Sequence, residues 1–161
     1  MSETAPPAPR LPLLLVEEVA QLRAFLDLLG EEEKALVAGD VDRLLPLAGE
    51  KSARFTRLAD LGAARSRLLE AAALTPDRSG MEAWLGRQAE AGAARRSWAE
   101  LLDLAAQARS RNDSNGKLIA TRLANNQQAL ASLLAAANQA ALYGPDGQAS
   151  PLGGGRSLGS V

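Results

Sequence analysis

The chain has 161 residues, of which 47% are hydrophobic and 23% charged, and its formal net charge is −1 at pH 7. It contains no Cys and no His, which excludes disulfides, thiol nucleophiles, iron–sulfur clusters, cysteine zinc sites, histidine-based catalytic triads and the Glu-x-x-His di-iron bundle. The near-neutral charge argues against nucleic-acid binding, and the dominance of Leu and Ala over aromatic residues, which make up 3% of the chain, predicts an all-α fold.

Proline and glycine mark both ends of the chain. Proline-rich sequence predicts a disordered tail over residues 1–12, and glycines with two prolines predict a second disordered tail over residues 144–161. The helical bundle domain is therefore expected at residues 13–143. The apolar run Leu11–Val16 is too short for a signal peptide, and the chain has no stretch of about 18 consecutive apolar residues. We therefore expect a cytoplasmic protein without membrane insertion.

The first predicted helix runs from Leu13 to Ala38. Its apolar residues alternate at spacings of four and three, which is typical of a coiled-coil seam. One acidic residue, Glu33, interrupts the seam, and Gly39 is placed to end the helix. The predicted seam comprises Leu15, Val19, Leu22, Leu26, Leu29, Glu33 and Leu36.

The second predicted helix extends to Ala73, with Asp40 as its N-cap and Pro46 marking a kink or a fresh start. Residues 13–38 carry six acids and two bases, a net charge of −4, whereas residues 41–73 carry six bases and four acids, a net charge of +2. The short Gly-Asp connection and the opposite charges predict antiparallel packing of the two helices. The apolar stripe of the second helix comprises Leu44, Leu47, Phe55, Leu58, Leu61, Leu68 and Leu69.

A loop around Pro76 and a short amphipathic segment, Met81–Gln88, precede a long last helix from Ala93 to Tyr143. As a helix of some fifty residues, this last helix would be roughly 75 Å long, whereas each of the first two helices would be roughly 40–50 Å long. Part of the last helix therefore lacks an intrachain partner. We predict an elongated antiparallel helical bundle or coiled coil with a long C-terminal helix that offers an intermolecular surface.

The segment Asn112–Gly116 leaves two interpretations open. Asn-Gly is typical of a turn, which would make the segment the loop of a helical hairpin. The seam passes through it without a slip, which favours a continuous helix that is weakened or kinked there. The predicted seam of the last helix comprises Trp98, Leu102, Ala105, Arg109, Asn112, Gly116, Ile119, Leu123, Asn126, Leu130, Leu133, Ala137 and Ala140.

The end of the last helix carries no Asp, Glu, Lys or Arg. From Leu123 to Pro145 the one ionisable side chain is Tyr143, although a helix face in contact with water normally carries charges. One interpretation is a docking surface for the amphipathic helix of a partner. The alternative is burial in the protein's own bundle or in a homodimer.

The charged groups give no indication of catalysis. Four arginines (Arg95, Arg96, Arg109 and Arg111) lack interleaved aromatic residues and are expected on a solvated helix face. The acidic run Glu31–Glu33 is also expected on a solvated face, with the seam position Glu33 as its one exception. No arrangement of carboxylates suggests acid–base chemistry. We expect a non-enzymatic protein with no metal site and no cofactor.

Three motifs near the C-terminus resemble the C-terminal half of the FlgN-type flagellar export chaperones. The resemblance is strong over residues 112–148, and residues 13–111 are similar in their leucine heptads and Gly-Asp turn. The motifs are Asn112-x-x-Asn115-Gly116-x-Leu118-Ile119, then Asn126-Gln127-Gln128-Ala129-Leu130, then Leu142-Tyr143-Gly144-x-x-Gly147-Gln148.

The resemblance implies a cytoplasmic chaperone for type III protein export. Such a protein would bind the C-terminal amphipathic helices of the hook–filament junction proteins FlgK and FlgL, prevent their premature self-association, and deliver them to the cytoplasmic domain of the flagellar export gate. By position in the motifs, Tyr143 would dock at the gate, and residues 112–143 would form the client-binding part of the last helix. The implied client-binding residues are Ile119, Leu123, Asn126, Leu130, Leu133, Leu134 and Ala137.

A different class of function is also compatible with the residues. The same helix would serve a non-enzymatic coiled-coil scaffold or adaptor that self-associates through its C-terminal end, and a homodimer is compatible with either function.

Overall fold

The computed structural model describes residues 10–141, with side chains described for residues 10–136. Four helices and no strands occupy this part of the chain: α1 (Arg10–Ala38), α2 (Val41–Ala71), α3 (Arg78–Arg87) and α4 (Gly92–Ala141). The predicted all-α fold is confirmed. The expected tails at residues 1–9 and 144–161 lie outside the described residues.

Helix α1 begins at Arg10, three residues before the predicted start. The predicted boundary of the N-terminal tail at residue 12 is therefore wrong. Pro12 lies in the first turn of the helix, where its missing N–H group breaks no intrahelical hydrogen bond, because the first four N–H groups of a helix have no partner there. The preceding Leu11 is buried, and this burial favours the earlier start.

The predicted seam of α1 forms the centre of the core. All six apolar seam residues are buried, and Leu15 and Leu29 are completely inaccessible. At the interrupted position the side chain of Glu33 is exposed, and the neighbouring Glu32 is buried in its place. The heptad pattern therefore identified the buried face of α1, and the interruption marks the place where a carboxylate enters the interior.

A tight turn joins α1 to α2. Gly39 has a positive φ of 69°, and the N–H of Asp40 donates to the carbonyl of Ala35 at 2.9 Å while the N–H of Gly39 donates to Leu36 at 3.3 Å. These bonds form a Schellman motif, which needs a left-handed residue at Gly39. The Asp40 carboxylate then accepts from the backbone N–H of Arg43 at 3.2 Å and caps α2, as predicted.

Opposite charges align α1 and α2. Ion pairs join acids of α1 to bases of α2 with the residue numbers running in opposite directions, so the two helices are antiparallel, as predicted. Two of the four pairs, Arg43–Glu31 and Arg57–Glu17, are exposed and stabilise the fold little; their role is to specify which faces meet. The pairs are Arg43–Glu31, Lys51–Glu32, Arg57–Glu17 and Arg65–Glu18.

Helix α2 continues as one helix through Pro46, so the chain does not start a fresh helix there. Its apolar stripe is buried less than the sequence predicts. The buried residues are Leu47, Leu61 and Leu69, whereas the side chain of Phe55 is 64% exposed. Leu44, Leu58 and Leu68 are half-buried against the core, so Phe55 is the stripe residue that no helix covers.

Helix α3 closes one end of the core. The Asp77 carboxylate accepts from the backbone N–H of Gly80 at 2.9 Å and from the Thr75 hydroxyl at 2.7 Å. These hydrogen bonds lower the pKa of Asp77. A Cβ at Gly80 would lie 1.7 Å from the Thr75 carbonyl oxygen, so only glycine fits this capping turn. The turn places Met81 in the core, completely buried.

A buried charge links α1, α2 and α4. The Arg65 guanidinium lies 3.1 Å from the Glu18 carboxylate and 5.1 Å from the centre of the Trp98 ring. The ion pair is close, but its atoms are poorly aligned for a hydrogen bond. Burial raises the pKa of Glu18, and the positive charge of Arg65 offsets this only in part.

Helix α4 continues without a break through Asn115 and Gly116, so the hairpin-loop interpretation is wrong. Within the first compact unit, residues 1–119, α4 runs parallel to α1, because Glu100 pairs with Arg23 and Asn115 bonds to Leu29 further along both helices. Residues 120–161 form a second unit, of which the described part is helical to Ala141.

The predicted seam of α4 is wrong between Leu102 and Gly116. After Trp98, the buried residues of α4 are Leu101, Ala108 and Asn115, whereas Arg109 and Asn112 are exposed. Leucine and alanine occupy several adjacent positions in this helix, so two seams one residue apart satisfy the same spacing rule. Packing against α1 selects the seam that keeps Arg109 in solvent.

Candidate functional site

The last described turns of α4 carry an exposed apolar stripe. All side chains from Ala120 to Ala136 are exposed, so the alternative of burial by the chain's own described residues is wrong. We define the terminal stripe as the five candidate residues of this region. Its four leucines expose between 57% and 68% of their side chains. The terminal stripe comprises Leu123, Asn126, Leu130, Leu133 and Leu134.

Helical geometry places the terminal stripe on one side of α4. At about 100° per residue, its five positions fall within an arc of roughly 100°, and Leu123 to Leu134 extend over roughly 16 Å along the helix axis. Asn125 and Ser132 lie on the opposite side by the same geometry. The stripe is therefore a continuous apolar face with the width that a partner helix covers in a helix-to-helix contact.

The terminal stripe carries no charged side chain. Residues 123–136 contain no Asp, Glu, Lys or Arg, so covering this face with another helix removes no ionised group from water. Asn126 is the polar member, and an amide at a helix interface fixes the register of the partner at some cost in stability. The stripe can bind an apolar helix face, but it offers no group for acid–base or nucleophilic chemistry.

Three other candidate residues differ in what the structure describes. Ile119, the last residue of the first unit, is 45% exposed. The backbone of Ala137 is helical, but its side chain is not among those described. Tyr143 lies outside the described residues. Their predicted roles stay predictions.

A polar cluster in the interior positions α4 against α1 and α2. Asn115 is 1% exposed, and its side-chain amide donates to the Leu29 carbonyl at 2.9 Å and to the Glu32 carboxylate at 2.8 Å. The Lys51 ammonium donates to the same carboxylate at 3.0 and 3.1 Å. A buried carboxylate, a buried amide and a half-buried ammonium thus satisfy one another, which offsets the cost of removing them from water. We call Glu32, Lys51 and Asn115 the buried polar cluster.

Sequence reasoning missed this cluster. The heptad spacing placed Asn112 and Asn126 in the seam of the last helix. The asparagine that is buried is Asn115, one helical turn from Asn112. The signal that could have found it is the interruption of the α1 seam by acidic residues, because a buried carboxylate requires a donor from a neighbouring helix.

The described residues show neither a metal site nor a membrane span. Within residues 10–141, no group of three or more acidic side chains is arranged to hold a metal ion. No helix in that range has both the length and the hydropathy needed to cross a bilayer.

Comparison with known proteins identifies relatives of this architecture. The family model described as "FlgN protein" matches residues 8–151. The crystal structure of a candidate flagella synthesis protein FlgN from Pseudomonas aeruginosa is similar, with a TM-score of 0.66 and 27% sequence identity, covering 71% of this chain and 90% of that one. No curated protein sequence matches significantly.

Proposed function

The chain belongs to the FlgN protein family, and on that basis we propose that it is a cytoplasmic, non-enzymatic export chaperone of flagellum synthesis that binds an amphipathic helix of its client on the terminal stripe of α4. The single observation that carries this proposal is the exposure of four leucines on an uncharged helix face. An exposed contiguous apolar face of this kind marks an interaction surface.

The clients are FlgK-like and FlgL-like hook–filament junction proteins. Their C-terminal amphipathic helices would associate with one another if left uncovered, and a chaperone helix that occupies the apolar face prevents this contact. The chaperone then delivers the client to the cytoplasmic domain of the export gate, with Tyr143 as the docking residue. These assignments rest on the family motifs that end at Leu142–Gln148.

The size of the terminal stripe suits a client that must be released. Complete burial of a leucine side chain stabilises by roughly 1.5–3 kcal/mol, and the four leucines retain more than half of their exposure. Covering them therefore contributes roughly 4–7 kcal/mol, of which association consumes at least about 4 kcal/mol. By itself the stripe therefore supports only weak affinity, and flanking contacts of the client supply the remainder.

Self-association through the same stripe is the second candidate function. The exposed leucines that receive a client helix can also receive the α4 helix of a second copy, because both partners present an uncharged apolar face. In that case the protein is a scaffold or adaptor whose mass in solution depends on concentration.

The first test replaces Leu130 and Leu133 together by Asp. We expect the double variant to lose co-purification with a FlgK-like protein while its helicity by circular dichroism stays close to that of the parent, because both side chains are exposed. The matched control, Asn125→Asp with Ser132→Asp, adds the same two charges on the opposite side of α4 and should retain the client.

Two results would contradict the client site. Collapse of the helical signal in the Leu130→Asp, Leu133→Asp variant would place these leucines in a core. Retained client binding, together with a change from dimer to monomer in light scattering, would favour the scaffold.

The second test is Tyr143→Ala. We expect client co-purification to be unchanged and secretion of the client from flagellated cells to fall, because the substitution removes the docking residue and leaves the terminal stripe intact. Secretion at the parental level would remove the reason for assigning a docking role to Tyr143.

A further inference from the structure

The first unit contains an open apolar groove that lies outside the terminal stripe. The groove has a volume of about 560 Å³ and is lined by all three long helices. Its floor is Leu22 and Phe25 of α1, which are themselves buried. Its walls come from Ala48, Ser52, Phe55 and Leu58 of α2 and from Ala105, Ala108, Arg109 and Asn112 of α4. We call it the side groove.

The side groove has the form of an empty helix position in a four-helix bundle. The lining residues of α2 extend over eleven residues, from Ala48 to Leu58, which is roughly 15 Å and three turns of helix. Both walls carry small side chains, which let a fourth backbone approach within roughly 8–10 Å of its neighbours. Phe55 is 64% exposed at the edge of the groove, although a core-facing aromatic residue in a bundle is normally covered by the adjacent helix.

The side groove carries one cation that is not paired within its lining, Arg109. The one carboxylate in its lining is Glu32, which is buried and already holds Lys51 and Asn115. Arg109 is exposed, and among the described residues it has no ion-pair partner. An arginine beside an apolar groove favours an incoming carboxylate, because the partly desolvated contact strengthens a charge-assisted hydrogen bond.

The apolar lining and the exposed arginine together indicate which kind of partner the groove would bind. We propose that the side groove is a second docking site, which binds an acidic amphipathic helix of another protein. Its apolar residues at i, i+4 and i+7 would cover Phe55 and the floor of the groove, and a flanking Glu or Asp would pair with Arg109. The proposal does not depend on the client site on the terminal stripe.

Other occupants fit the groove less well. The terminal stripe of a second copy carries no acid for Arg109. Residues 1–9 contain Glu3 as their one ionisable side chain together with three prolines, and residues 142–161 contain one Asp among six glycines and two prolines. Neither segment has the sequence of an acidic amphipathic helix.

The test measures binding of a designed peptide to the full chain. The probe is a fluorescein-labelled helical peptide of about four turns, with leucines at i, i+4, i+7 and i+11 and glutamates at the flanking positions; its counterpart carries lysines instead. We expect saturable fluorescence anisotropy with the glutamate probe and about tenfold weaker binding after Phe55→Ala. The control is Leu45→Ala, another exposed apolar residue of α2 outside the groove, which should leave binding unchanged.

A charge reversal makes the test specific. Arg109→Glu should weaken the glutamate probe and strengthen the lysine probe, while circular dichroism verifies that the exposed substitutions at residues 55 and 109 leave the fold intact. Equal binding of the two probes by the parent chain would overturn the proposal. The proposal would also be overturned if the Leu130→Asp, Leu133→Asp variant lost probe binding while Phe55→Ala retained it. A dimer of the parent chain that dissociates on Phe55→Ala would overturn it as well, because the groove would then be an interface between two copies.

Discussion

At the scale of single residues, Asn115 and Glu32 are the side chains that decide how the helices meet. Both are buried, and both reach across a helix interface to a polar partner. An apolar contact tolerates a shift along the helix axis, whereas these hydrogen bonds form in one register only. The buried polar cluster therefore specifies the alignment of α4 with α1, which the leucine seam by itself leaves open.

The expected cost of losing this alignment is large for a single residue. Asn115→Ala removes the amide from Glu32 and from the Leu29 carbonyl, so we expect the free energy of unfolding to fall by about 1–3 kcal/mol. The measurement is urea unfolding followed by circular dichroism. Asn112→Ala is the matched control, because it removes the same side chain from an exposed position of the same helix and should change stability by less than about 0.5 kcal/mol. Equal effects of the two substitutions would refute the role of the cluster.

At the scale of elements, the informative feature is that α4 is one helix of 50 residues despite an Asn-Gly pair in its middle. Turn propensity favours a break at this pair. The burial and hydrogen bonding of Asn115 in its helical conformation oppose a break, because a turn there would leave Glu32 without this donor. Tertiary contacts therefore override the local preference.

Continuity of α4 predicts a stabilising substitution. Nothing lies within 4 Å of a Cβ built on Gly116, so Gly116→Ala should raise the free energy of unfolding by about 0.5–1 kcal/mol through the lower backbone entropy of the unfolded chain. Thermal and urea unfolding measure this change. Gly80→Ala is the contrasting variant and should destabilise, because its Cβ would overlap the Thr75 carbonyl oxygen. Destabilisation by Gly116→Ala would instead indicate a turn at this position.

At the scale of the whole molecule, stability and the proposed client binding use different parts of the chain. The buried side chains of the described residues extend from Leu11 to Asn115. Residues 120–136 bury none. A surface that contributes nothing to the core can bind and release a partner without loss of the fold.

This separation predicts the behaviour of a truncated chain. Removal of residues 120–161 should leave a cooperative thermal transition close to that of the full chain, because every buried contact partner among the described residues is retained. The same truncation should abolish co-purification of the FlgK-like client. Differential scanning calorimetry and pull-down measure the two effects, and loss of cooperative unfolding would mean that the terminal segment is part of the core.

The sequence by itself determined the helical class, the three long helices, the buried seam of α1, the Gly39–Asp40 turn, the antiparallel pairing of α1 with α2 and the family. These features depend on local signals: heptad spacing, a glycine at a left-handed position, a capping carboxylate and opposite charges on adjacent helices. The uncharged stretch after Leu123 was also visible in the sequence, because absence of charge is a property of composition.

Only the tertiary structure decided the seam of α4, the continuity of the helix at Gly116, the burial of Asn115 and the open groove beside Phe55. Each of these depends on which faces of three helices meet, and adjacent leucines and alanines on α4 allow two faces of nearly equal hydrophobicity. The choice between them came from the long-range hydrogen bonds of Asn115 to Leu29 and Glu32, whose energy does not appear in any local spacing rule.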